Sequence, residues 1–353
     1  MSDAFKGKYG PLLIAEIGGN HEGNFRYAEE LTELAIETDV DFIKFQIYYG
    51  DSLVSTLESP DRNRHFKRFE LSREEHLQLV SQVRDAGIGY MASVWDTDSM
   101  DWIDPHVTVY KVGSGDLTAY PLLKRIARTG KPVILSTGLS TEDEVLEAVN
   151  YVRSVNAVYR QKEMLAVLQC TSMYPIACGD AHLHVMPRLS NLTGATIGYS
   201  DHTEGMDALR CAVTMGAEIL EFHFTDERAG KEFRDHRVSL MPDEVKELIR
   251  EIRRIRNLQG DPIKRPLVIE LENGHEISFR RAVYPARDIL EGEALTTENL
   301  TILRPNHGID AREYDVLLGR RLLTPVKRHQ KLSWDLVAPR DDGQNQDIDL
   351  TNR

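Results

Sequence analysis

The chain has 353 residues, enough for one large α/β domain with a small one beside it. It carries 43 Lys and Arg against 56 Asp and Glu, a net charge of −13, which argues against general nucleic-acid binding because that relies on a basic face. The opening ten residues are polar and no apolar run approaches the roughly 20 residues that span a bilayer, so neither a signal peptide nor a membrane protein is expected.

Short apolar runs recur along the first 225 residues, at 12–17, 41–46, 88–93, 107–112, 132–137, 165–170, 196–200 and 218–224. The intervals between them are amphipathic. Tyr27, Leu31, Leu34, Ala35 and Thr38 fall at helical spacing, and Thr141 caps a stretch that continues through Val145, Leu146, Ala148, Val149 and Val152. Residues 242–258 complete the series as an eighth helix with a charged outer face. Eight strands alternating with helices predict a (β/α)₈ TIM barrel over residues 1–260. A doubly wound open sheet is the alternative, because periodicity cannot show closure. Residues 261–278, with Pro262, Pro266, Asn273 and Gly274, read as an irregular linker. Residues 279–338 read as a small β-rich domain with runs at 281–286, 300–303 and 322–325. About 60 residues bury little, so it is expected to lean on the barrel or a partner subunit. Residues 339–353 have almost nothing to bury and read as a disordered tail. The cysteines, Cys170, Cys178 and Cys211, are odd in number and unevenly spaced, unlike a disulfide framework, so a soluble cytoplasmic protein is expected.

A barrel of this kind carries its chemistry at the C-terminal strand ends. Those positions are polar here: Glu16 after the first strand, Lys44 and Gln46 in the second, Ser93 after the third. Lys111 and Ser114 follow at the fourth, Ser136 at the fifth, Ser172 and Tyr174 at the sixth. The seventh and eighth bring His202 and His223. Two convergent imidazoles can hold a divalent metal while leaving positions open for substrate and water; each taken alone also reads as a hydrogen-bonded core histidine. Lys44 and Lys111 lie inside apolar strands, where a cation needs a partner. That partner is either a structural carboxylate, for instance Glu16 for Lys44, or an anionic substrate held with Ser93, Ser114, Ser136 and Ser200 in a phosphate and carboxylate cradle.

Six stretches in order carry a resemblance. Glu16-Ile17-Gly18-Gly19-Asn20-His21, Lys44-Phe45-Gln46, Lys111-Val112-Gly113-Ser114-Gly115-Asp116, Gln169-Cys170-Thr171-Ser172-Met173-Tyr174-Pro175, Gly198-Tyr199-Ser200-Asp201-His202-Thr203 and Glu221-Phe222-His223-Phe224 resemble the sialic acid synthase family. Leu303-Arg304-Pro305-Asn306-His307-Gly308-Ile309 resembles that family's C-terminal antifreeze-like (SAF) domain. The likeness spans about residues 11–338. It implies condensation of phosphoenolpyruvate with an N-acetylmannosamine-type sugar to a nonulosonic acid. It implies His202 and His223 as ligands of Mn²⁺, with Mg²⁺ or Co²⁺ as alternatives. It matches Lys44, Lys111, Ser114, Ser136, Ser172 and Ser200 to positions that grip phosphoenolpyruvate, and Glu16, Gln46, Asp116, Tyr174 and Asp235 to positions around the sugar. Glu16 is the first choice for proton transfer. Arg304 matches an arginine that reaches the partner subunit's barrel mouth and touches the sugar's acylamino group, which implies a domain-swapped homodimer.

Departures from the family pattern gather in three loops: Ile47-Tyr48-Tyr49-Gly50; Ala92-Ser93-Val94-Trp95-Asp96, in place of Ser-Thr-Pro-Phe-Asp; and Phe233-Arg234-Asp235-His236, in place of Gly-Pro-Asp-His. Ser172 also stands where asparagine is common. They leave open whether the acceptor is N-acetylmannosamine, its 6-phosphate or a diacetamido-trideoxy hexose. Arg234 and Arg237 would favour a phosphorylated sugar unless they pair with Glu227 or Glu232. Arg62, Asn63, Arg64, His65 and Lys67 read as a charged loop, either covering the sugar or simply solvated. His182 and His184 read as an exposed connector, Cys170 as a buried small hydrophobe. Related heptulosonate phosphate synthases offer a second enzymatic reading, and a carbohydrate-binding scaffold a non-catalytic one.

Overall fold

A computed structural model describes residues 4–340, so most of the tail expected at 339–353 lies outside the described residues. Contacts divide the chain into two compact units, up to Gly260 and from Asp261 on. In the first unit eight parallel strands run β1 (Gly10–Glu16), β2 (Phe42–Ile47), β3 (Gly89–Val94), β4 (Tyr110–Val112), β5 (Val133–Ser136), β6 (Leu165–Cys170), β7 (Thr196–Asp201) and β8 (Ile219–His223). Each pairs with the next, and β1 pairs with β8 through Leu12 and Ile219 onward. That last ladder closes the barrel and removes the open-sheet alternative. β4 is shorter than the expected run at 107–112, because Asp104–His106 forms a 3₁₀ turn and the ladder begins only at Tyr110.

Helices form where the apolar spacing placed them. Phe25–Ile36 turns Ala28, Leu31, Thr32 and Ala35 onto the sheet, with Asn24 accepting from the Tyr27 amide as its cap. Glu142–Val155 opens on a capping box in which Thr141 and Glu144 each accept from the other's backbone amide. Pro242–Gln259 closes the unit and buries Val245, Leu248, Ile249 and Ile252. The stretch expected as a charged loop is instead a helix, Pro60–Arg68. Pro60 stands in its first turn, where a missing N–H costs nothing, and Asp61 complements the dipole. Among the described residues no helix is long and apolar enough to cross a membrane.

The second unit has its own core of Val283, Ile289, Leu295, Leu300, Ile309, Leu317, Leu322, Val326, Leu332 and Val337. Its antiparallel pair is β9 (Ala282–Pro285) with β10 (Leu300–Leu303). The run at 322–325 forms no strand; Leu322 makes only an isolated bridge to Val337. The expected irregular linker carries two short helices, Val268–Glu272 and His275–Ser278. Glu270 accepts from the Leu267 amide to start the first, and Gly274, at φ 64°, turns the chain into the second.

Candidate active site

Inside a closed barrel alternate side chains of each strand face the axis, and here those series run from apolar at the bottom to polar at the top. Leu12, Ile14, Met91, Val109, Ile134, Ala166, Leu168 and Ile219 form the lower layers with Phe5. Gly198 belongs to this packing: a Cβ there would lie 2.5 Å from both the Ile219 carbonyl oxygen and Leu168 Cδ2. Two residues further along the same faces stand Glu16, Ser93, Lys111, Ser136, Cys170, Ser200 and Glu221. Register makes them neighbours. Glu16 is paired with Lys44 on one side and His223 on the other; Ser93 lies between Gln46 and Lys111; Ser200 lies between Cys170 and Glu221.

These groups line one cavity of about 370 Å³. Every candidate residue of the first unit borders it: Glu16, Lys44, Gln46, Ser93, Lys111, Ser114, Asp116, Ser136, Ser172, Tyr174, Ser200, His202, His223 and Asp235. Arg304 lies in the second unit, its guanidinium 5.2 Å from the centre of the Phe279 ring.

The floor is a charge network. Lys44 Nζ lies 2.5 Å from Glu16 Oε2 and 3.3 Å from Glu221 Oε1, and Lys111 Nζ lies 3.3 Å from Glu221 Oε2. The lysines also donate to hydroxyls, Lys44 to Ser93 Oγ at 3.3 Å and Lys111 to Ser136 Oγ at 2.7 Å. Lys44 therefore has its carboxylate partners, and it stands on the cavity floor as well; the two sequence alternatives are compatible. Glu221, quoted in a motif but given no role, is the carboxylate both lysines share. Its spacing of two from His223 on a strand put it on the same face, and that was the available signal. Burial alone would raise the Glu221 carboxyl, but Lys111 and Lys44 override it and hold it at about 2. At Glu16 burial dominates and lifts the carboxyl above its ordinary range, against the pull of Lys44 and with a push from Glu221. Burial also raises Asp116, to about 6, opposed by Lys111.

His202 and His223 meet at the strand tops with ring centres 5.4 Å apart. Burial keeps both neutral, His202 falling to about 4 and His223 well below its ordinary value, the latter pushed further by His202. His202 Nδ1 lies 2.7 Å from the Thr171 carbonyl oxygen, so Nδ1–H donates and Nε2 keeps its lone pair. His223 Nδ1 is buried without a hydrogen bond, 3.9 Å from Asp235 Oδ2. Among the described residues no group of three or more His, Cys, Asp or Glu side chains is placed to hold a metal. Tyr174 packs on His202 at 3.9 Å between ring centres, and Arg234 lies over Tyr174 at 4.6 Å while reaching Asp235 Oδ1 at 3.3 Å. Arg234 thus pairs with Asp235 and Arg237 with Glu204, not with Glu227 or Glu232. Where Ser114 and Ser172 converge, Gly138 is required: a Cβ there would collide with both hydroxyls, and its amide donates to Ser114 Oγ at 3.0 Å. His182 and His184 are exposed, and Cys170 is a buried thiol that burial pushes up to about 11.

Sequence reasoning also missed the mouth of the cavity, which is aromatic. Tyr48 stacks on Trp95 at 4.9 Å and meets Phe66 edge-on at 5.3 Å; Phe69 packs on Phe233 at 4.8 Å and on His65 at 4.7 Å. Phe66, Phe69 and His65 arrive on or beside the helix Pro60–Arg68, whose Asn63 is buried and donates to the Gly50 and Val54 carbonyls.

The NeuB family model matches residues 31–264 and the SAF domain model residues 280–338. An N,N'-diacetyllegionaminic acid synthase of Campylobacter jejuni is 33% identical, covering 88% of this chain and 95% of its own. The human N-acetylneuraminate-9-phosphate synthase is 29% identical, covering 94% of each chain. The crystal structure of an N-acetylneuraminic acid synthetase from Leptospira borgpetersenii superposes with a TM-score of 0.69 at 30% identity, covering 75% of this chain and 90% of that one.

Proposed function

The chain belongs to the NeuB family and carries its SAF domain, and on that premise we propose that it is a phosphoenolpyruvate-dependent nonulosonic acid synthase. In this reading C3 of phosphoenolpyruvate attacks the aldehyde carbon of an open-chain acylamino sugar. Water adds at C2, and the C–O bond to phosphate breaks, releasing the acid and inorganic phosphate. The observation that carries it is the floor: two buried lysines share one carboxylate beneath a pair of neutral imidazoles, in a single cavity. Relatives that make legionaminic acid and N-acetylneuraminate 9-phosphate support the product class.

Lys44 and Lys111 neutralise the phosphate and carboxylate of phosphoenolpyruvate, and Ser93, Ser114, Ser136, Ser172 and Ser200 donate to its oxygens. Glu16, lifted by burial, is the floor group able to hold a proton and pass it to the reacting oxygen. Gln46, Asp116, Tyr174 and Asp235 line the acceptor's path. His202 and His223 fit a divalent metal such as Mn²⁺, since both rings are neutral and His202 keeps Nε2 free by donating from Nδ1. Bound there, the ion would polarise the aldehyde oxygen and orient water. A homodimer in which Arg304 of one copy serves the other belongs to the same reading. Mixing inactive Arg304→Ala with inactive Lys111→Ala chains tests it through restored turnover.

Mass spectrometry of products from phosphoenolpyruvate, Mn²⁺ and a panel of N-acetylmannosamine, its 6-phosphate and diacetamido-trideoxy hexoses tests the whole. A condensed acid formed with stoichiometric phosphate is the expected result. Absence of phosphate release with every acceptor would refute it.

A further inference from the structure

We propose that the aromatic collar at the cavity mouth selects an acceptor whose end remote from the aldehyde is apolar, a 6-deoxy acylamino sugar, over one hydroxylated or phosphorylated there. The proposal rests on the reading above and names the acceptor class of that site.

The vertical order of β2 and its continuation supplies the first argument. Lys44, Gln46 and Tyr48 all border the cavity and climb one face in steps of two residues, from ammonium to amide to phenol ring. At 3.3 Å per residue along a strand tilted by about 36°, the ring level stands ~11 Å above the lysine level. An acceptor whose aldehyde meets phosphoenolpyruvate on the lysines must therefore extend toward the mouth, with its far carbon among Tyr48, Phe66 and Trp95. Those three rings are packed on one another, at 4.9 Å, 5.3 Å and 6.2 Å between centres. His65 joins them to the Phe69–Phe233 pair through Phe66, at 5.7 Å.

Such a wall covers C–H surface and offers little to a hydroxyl, and it charges a phosphate heavily for lost hydration. Trp95 adds a donor, since its Nε1 is buried without a hydrogen bond and can serve an acylamino carbonyl. Tyr48, Trp95 and Phe233 come from the three loops that depart from the family pattern, so three unrelated oddities of the sequence converge on one surface. The cations at the mouth are turned onto rings: Arg62 lies over Phe66 at 5.8 Å, while Arg234 holds Asp235 and covers Tyr174. Arg62 and Arg234 are the groups a phosphorylated acceptor would recruit, which makes that acceptor the competing outcome.

The test is kcat/KM of the full chain, with phosphoenolpyruvate and Mn²⁺, for matched acylamino sugars bearing 6-deoxy, 6-hydroxy or 6-phosphate ends. A 10- to 100-fold preference for the 6-deoxy sugar over the hydroxylated one is expected, the range a hydrophobic pocket achieves for such a change, with the phosphate lower still. Trp95→Ala, and Phe66→Leu as the milder variant, should erase most of that preference by raising KM for the 6-deoxy acceptor, leaving KM for phosphoenolpyruvate within twofold. A preference kept in both folded variants would overturn the collar, as would equal or better turnover of the hydroxylated or phosphorylated sugar. Release of phosphate with none of the three would instead refute the synthase reading, and the collar's role with it.

Discussion

Glu221→Gln is the sharpest perturbation of the floor, because it preserves shape and removes the charge that Lys44 and Lys111 share at 3.3 Å each. Lys111 and Lys44 hold the Glu221 carboxyl well below its ordinary range, against the opposing effect of burial. Removing one partner of a buried ion pair costs about 3–5 kcal/mol, since Lys111 loses the Glu221 carboxylate and Lys44 is left with Glu16 alone. A depressed carboxyl contributes stability that is complete above pH 4.5 and lost as the pH falls toward 2. Melting of wild type and variant, followed by near-ultraviolet circular dichroism, should differ by roughly 6 °C at pH 7.5, and the difference should shrink as the pH falls toward 2. A second readout lies in the neighbour. Glu221's charge helps to raise Glu16, which acts in its protonated form, so the alkaline limb of the kcat profile should move to lower pH in the variant. Equal melting temperatures at pH 7.5, or a difference that widens in acid, would refute the shared-carboxylate account.

Three further outcomes are expected. His202→Ala and His223→Ala should each lose Mn²⁺ binding by calorimetry and reduce metal-dependent turnover by more than ~100-fold; normal turnover in either would remove the metal from the imidazole pair. Asp116→Asn should stabilise the protein at pH 7.5 by about 1–2 kcal/mol after discounting for partial solvent contact. Burial raises Asp116 from 3.8 to about 6, so its ionised form costs stability that grows between those values; the gain in denaturant midpoint should vanish below pH 4, while KM for the acceptor rises. Gly198→Ala should cost about 1–3 kcal/mol by overpacking the barrel interior, read as a lower melting temperature with the far-ultraviolet spectrum preserved; an unchanged midpoint would show that Ile219 and Leu168 yield freely.

The two-residue and 3.6-residue periods made the eight strands and most barrel helices legible, because burying an apolar face requires those spacings whatever the neighbours do. Polar residues at strand ends were legible for the same reason: Lys44 inside Phe42–Ile47 and Glu16 at the end of Gly10–Glu16 cannot be explained by local packing. The helix Pro60–Arg68 was misread, since its charged face hid Pro60 and Asp61 as start signals. The run at 322–325 has strand composition but makes only an isolated bridge.

Pairing across the sheet was beyond any local pattern. Closure of β1 on β8 brings Glu16 beside His223, 207 positions away in the chain, and the Glu221 carboxylate between two lysines from other strands. Composition and spacing determined that this chain alternates eight strands with helices and carries polar residues, two imidazoles among them, at the strand ends. Only the tertiary structure decided which carboxylate the lysines share, which way Glu16 and Glu221 are driven apart, and that Tyr48, Trp95 and Phe233 stand together at one mouth. Burial and proximity set those charges and contacts, and both come from strand register rather than from sequence neighbours.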